Sequence, residues 1–177
     1  MINKTFIVFF LFFIGCKPEK KEPLLLLDFV PQNTIAAFQL KDQNMLKNAI
    51  TNLPFLKAIV KINDSLYSDL NALIPKEFPS NSLLLLTPEG KKNIVASFMY
   101  RSTDIDTIPK KIIDQFEYND VRVNVEEVGN KKIFHAKIKN INVSSCSKLV
   151  LENSIRNIKG KKRGVQDVQF YKLAGLS

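Results

Sequence analysis

His135 and Cys146 are the two side chains with the most reactive chemistry in the chain, eleven positions apart. A thiol with an imidazole beside it is the pattern of a cysteine nucleophile and its base. The surrounding residues favour a plainer reading. Phe134, Ala136 and Ile138 alternate with His135, Lys137 and Lys139, which places His135 on the polar, solvated face of a strand. His135 is the only histidine, and neither HExxH nor CxxC occurs, so no metal site is predicted. Asp104 and Asp106 lie in a polar stretch without the glycine and the further oxygen ligands that a calcium loop needs. Glu126 and Glu127 are adjacent, and on a strand they point to opposite faces. The glycines at 160 and 164 bracket Lys161-Lys162-Arg163 without the spacing of a phosphate loop. No catalytic residue and no cofactor is therefore expected. Lys159, Lys161, Lys162 and Arg163 form the one charged cluster that suggests a contact, with an anionic surface. Positive charge at that place also suits the end of a helix dipole.

Cys16 carries a different chemistry. Lys4 precedes an apolar stretch from Thr5 to Phe13, and Phe13-Ile14-Gly15-Cys16 leads into the charged segment Lys17-Pro18-Glu19-Lys20-Lys21-Glu22-Pro23. That is the three-part plan of a secretory signal peptide. The apolar stretch is too short for a spanning helix, which needs about 20 residues. The segment resembles the signal of a bacterial lipoprotein. Gly15 and Cys16 match the strictest lipobox positions, whereas Phe13 and Ile14 depart from the usual Leu and small residue. The resemblance implies cleavage between Gly15 and Cys16, then a diacylglyceryl group on the Cys16 sulfur and a further acyl chain such as palmitate on its amine. Two chains suffice for stable attachment to a bilayer. Lys17 stands where an Asp would imply retention in the inner membrane, so the outer membrane is the expected location. The periplasmic or surface face is left open. A Cys16–Cys146 disulfide is the competing use of the two cysteines.

The chain has 177 residues and a formal net charge of +9. Residues 131–177 carry eleven basic side chains against Glu152 and Asp167, so the last quarter holds the excess. Lysine dominates the basic residues, which disfavours a bidentate phosphate reader. Nucleic acid is not an expected partner of an exported chain with little aromatic interleaving. The expected partners are the membrane, through lipid on Cys16, and anionic headgroups or an acidic protein at the basic cluster.

The elements that position these residues read as α+β: a mostly antiparallel sheet with helices packed on one face. Residues 1–15 are the signal, 16–27 the lipidated Cys and polar tether, and 28–177 a single domain, open to being the N-terminal part of a larger one. Thr34–Leu40 reads as a strand. Asp42 reads as the cap of a helix bearing Met45, Leu46, Ala49 and Ile50. Phe55, Ile59, Ile62, Leu66, Leu70 and Leu73 repeat at three and four and predict one long helix opened by Pro54. Ser82–Thr87 and Asn93–Tyr100 read as a hairpin, and the segment from Pro109 to Phe116 as a helix. Val121, Val123 and Val125 alternate on a strand, Gly129-Asn130 turns it, and Ile141 and Val143 continue the pattern. Ser147 reads as the cap of a last helix with Leu151, Ile155 and Ile158 on one face, Glu152 paired to Arg156, and Gly160 as its stop.

Phe29-Val30-Pro31-Gln32-Asn33-Thr34-Ile35-Ala36-Ala37-Phe38, Asn52-Leu53-Pro54-Phe55-Leu56 and the turn Ser144–Asn153 resemble elements of uncharacterised lipoproteins with a DUF3352-like domain. Members of that family are generally longer than this chain, and the resemblance implies no enzymatic role. The expected function is a membrane-anchored lipoprotein of the cell envelope, a non-enzymatic binding or structural module. The alternative is an envelope enzyme whose catalytic part is absent from, or unrecognisable in, this chain.

Overall fold

The computed structural model describes residues 26–40, 44, 48, 52, 54–62, 64–73, 75, 79, 82–91, 93–102 and 111–160. The signal, Cys16, Asp42, Asp104, Asp106 and the positions 161–163 lie outside the described residues, as do the side chains of Phe55 and Ile62. Among the described residues no helix is long and apolar enough to cross a membrane.

A 3-10 turn at Leu26–Phe29 opens the fold. It is followed by β1 (Ala36–Leu40), α1 (Pro54–Ile62), α2 (Asp64–Leu73), β2 (Ser82–Glu89) and β3 (Asn93–Arg101). Then come β4 (Ile112–Tyr118), β5 (Val121–Val128), β6 (Lys131–Ile138), β7 (Ile141–Ser145) and α3 (Lys148–Gly160). The seven strands form one sheet in the order β1-β2-β3-β7-β6-β5-β4, and every neighbouring pair is antiparallel. The protein is thus α+β, with an antiparallel sheet.

Helices cover both faces of the sheet, not the one expected. Leu83 and Leu85 of β2 join Met99, Val123, Ala136 and Val143 in a core with Leu151, Ile155 and Ile158 of α3 and with the 3-10 turn. Leu84 and Leu86 point the other way, into a core with Ile59, Leu66, Leu70 and Leu73 of α1 and α2. This explains the unbroken apolar run of β2: a strand buried on both faces has no polar alternate positions. The first core also takes in Leu26 and Leu27, ahead of the domain boundary expected at 28.

The helical stripe is divided between two helices, α1 and α2, although Ile59, Leu66, Leu70 and Leu73 are all buried as the spacing implies. The larger correction is β4, a strand where a helix was expected. Ile112, Ile113, Phe116 and Tyr118 are β-branched or aromatic and suit a pleated surface. Asn119 and Asp120 take φ of 49° and 54°, the left-handed pair of a tight two-residue hairpin that joins β4 to β5. Phe116 packs edge-on to Phe134 at 6.4 Å, and the Lys148 ammonium sits 4.3 Å over the Phe116 ring. These contacts hold the edge strand to β6 and α3. α3 is capped as expected, with the Val150 amide donating to Ser147 Oγ at 3.3 Å. Glu152, however, lies 3.9 Å from Lys148 instead of pairing with Arg156, whose guanidinium donates to Asn153 Oδ1.

Candidate functional site

His135 and Cys146 are drawn to different partners. Register places Ser144 of β7, His135 of β6 and Asn124 of β5 side by side, on the face that carries α1 and α2. His135 Nδ1 is 2.8 Å from Ser144 Oγ. Glu126, one step along β5 on the same face, brings Oε2 to 3.2 Å from His135 Nε2. That approach is off the hydrogen-bond direction, and Nε2 is buried without a hydrogen-bond partner. The side chain is 22% exposed, so the histidine is half-buried and not the solvated residue expected. Glu126 contributes to this row while Glu127 is exposed, as their adjacency on a strand requires.

Serine, imidazole and carboxylate in a row is the composition of a nucleophilic triad. The position argues against that use. Acyl transfer needs N–H donors aimed at a developing oxyanion. Ser144 lies mid-sheet, paired with Phe98 on one side and His135 on the other, where backbone donors serve the ladder. Ser144 and Glu126 flank the imidazole from the two neighbouring strands and orient it within the sheet.

Burial pulls the His135 pKa below its ordinary 6.5, against the opposing charge of Glu126. The stability tied to this depressed group is full above about pH 6.5 and is lost as the pH falls through its lowered value. Urea unfolding of the wild type and His135→Gln at pH 7.5 and 5.0 measures this. The wild type should lose more stability than the variant between the two pH values. Equal losses would show that His135 does not titrate against folding.

Cys146 is a free thiol directed toward α2, with Sγ 4.0 Å from the Asp69 carbonyl oxygen. Burial, aided by the Asp69 carboxylate and opposed by Lys131, pushes its pKa up to about 12. The nucleophilic form of cysteine is the thiolate, so at neutral pH this group is a protonated, weakly reactive thiol. Among the described residues no cluster of three or more His, Cys, Asp or Glu could hold a metal ion.

Cys146 borders a cavity of about 250 Å³ at one end of the sheet. Ser65 and Asp69 of α2 supply one wall, Glu89, Asn93, Ile94 and Val95 of the β2–β3 hairpin another, and Asn130, Lys131 and Lys132 the third. Lys131 Nζ pairs with Asp69 Oδ1 at 2.7 Å, and the Asp69 side chain is only 7% exposed. Ser147 Oγ donates to Glu89. Sequence reasoning missed this site because its charges come from segments far apart in the chain. The only local signals were a lone acidic residue on the apolar side of α2 and the lysines just after the Gly129-Asn130 turn.

Of the basic cluster, Lys159 is described. Its ammonium donates to the Asn119 carbonyl and lies 3.1 Å from Asp120 Oδ2, tying the end of α3 to the β4–β5 turn. Asp120 is exposed, so this pair is solvated and contributes little to stability. No family model, no curated protein and no solved structure matches the chain.

Proposed function

We propose that this protein is a lipid-anchored module of the cell envelope that binds rather than transforms its ligand. The observation that carries the reading is Gly15-Cys16 placed directly behind a short apolar stretch and ahead of a charged tether. Acylation of Cys16 would hold the folded domain at the membrane, with the outer membrane favoured by Lys17. Lys161, Lys162 and Arg163, beside a Lys159 that already has a carboxylate neighbour, would face anionic headgroups or an acidic partner. The non-enzymatic half of the reading is supported by the protonated thiol of Cys146 and by the mid-sheet position of Ser144. The polar cavity beside Cys146 supports binding.

The test is metabolic labelling with a tagged fatty acid. Label should enter the wild-type protein and be lost in Cys16→Ala, with the uncleaved precursor recovered from the variant. Equal labelling of both chains, or none of either, would defeat the anchor.

A further inference from the structure

The cavity between α2, the β2–β3 hairpin and the start of β6 is lined by two acidic and two basic residues: Asp69, Glu89, Lys131 and Lys132. Asp69 and Lys131 neutralise each other across the wall. A buried ion pair is a poor source of net stability, because desolvation offsets the attraction. Here it keeps one wall polar and fixed, with the Asp69 carboxylate held by the lysine. Glu89 and Lys132 are left, and among the described residues neither has an ion-pair partner. Glu89 is half-buried and accepts one hydrogen bond, from Ser147, so its carboxylate keeps acceptor capacity. Lys132, which also lines the cavity, is exposed.

From this juxtaposition we propose that the cavity binds a small zwitterion of the free α-amino acid class. Its ammonium group would meet Glu89 and its carboxylate Lys132. With Asp69 and Lys131 paired, a simple anion would leave Glu89 without a partner, and a simple cation would leave Lys132 without one. A zwitterion matches both signs at once. The volume agrees: at roughly 30 Å³ per water, a space of about 250 Å³ suits a small amino acid with a few waters and excludes drug-sized ligands, which need roughly 300 Å³ or more. Ile94 and Val95 give the lining an apolar part for a short side chain.

The proposal rests on the binding-module reading and names its ligand. The test is isothermal titration of the full chain in detergent with glycine, alanine, serine and valine. Acetate, methylammonium, N-acetylglycine and glycine amide are the single-charge controls. At least one amino acid should bind saturably, and each control about 10-fold or more weaker, since each lacks one charge-assisted contact. Glu89→Gln should weaken the amino acid about 10-fold while preserving the response to N-acetylglycine. Lys132→Gln should likewise weaken the amino acid while preserving the response to glycine amide. Unchanged circular dichroism of both variants excludes misfolding as the cause. Controls that bind as tightly as the amino acids would overturn the zwitterion class and leave a binding module standing. No heat with any probe, from protein that still carries lipid on Cys16, would overturn the cavity as a ligand site without touching the anchor.

Discussion

Leu70→Asp should abolish cooperative folding of the domain or lower its stability by more than about 4 kcal/mol. Leu70 is fully buried and packs α2 onto the sheet, in one cluster with Leu66, Leu84, Leu86 and Phe98. A carboxylate at this position has no partner in an apolar cluster, so it loses its hydration without compensation. Leu70→Ala removes only packing and should cost about 2–5 kcal/mol, according to how far the site can collapse. Tyr67 lies on the same helix but is 52% exposed. Tyr67→Asp should therefore stay within about 0.5 kcal/mol of wild type. Urea unfolding of the three variants checks the pattern. A Leu70→Asp protein as stable as Tyr67→Asp would mean that α2 does not cover this face.

Lys131→Met should destabilise the domain by about 3 kcal/mol, at the lower end of what breaking a buried pair costs. The loss arises from Asp69, whose nearly buried carboxylate would lose its 2.7 Å partner. Water reaches Lys131, which is 27% exposed, and this moderates the effect. The double variant Asp69→Asn, Lys131→Met should recover more than half of the loss, because no unpaired charge remains. A double-mutant cycle in urea measures the coupling. A single Lys131→Met variant within about 0.5 kcal/mol of wild type would show that the pair is solvated and that the cavity wall is not held by it.

Much of the local architecture is readable from side-chain order alone. The Leu83–Leu86 run identifies a buried strand, the valines of β5 a strand with one apolar face, and Ser147 a helix start. These are short-range signals, set by the two-residue period of a strand and the hydrogen-bonding needs of a helix end. The segment before β5 was misread for a related reason. Its apolar residues are too few to establish a period, and the decisive signal was the Asn119-Asp120 turn that commits it to a hairpin with β5.

What the sequence determined by itself is therefore most of the buried apolar positions among the described residues, most of the elements, and the likeness of residues 13–16 to a lipoprotein signal. Tertiary structure decided which element covers each face, which partner each polar group takes, and where charges converge. His135 depends on Ser144 and Glu126, and Asp69 on Lys131, a residue 62 positions away. Periodicity reports that a residue is buried without naming its neighbour. The neighbour is chosen by strand order and register, which follow from the packing of the whole sheet between α3 on one side and α1 and α2 on the other.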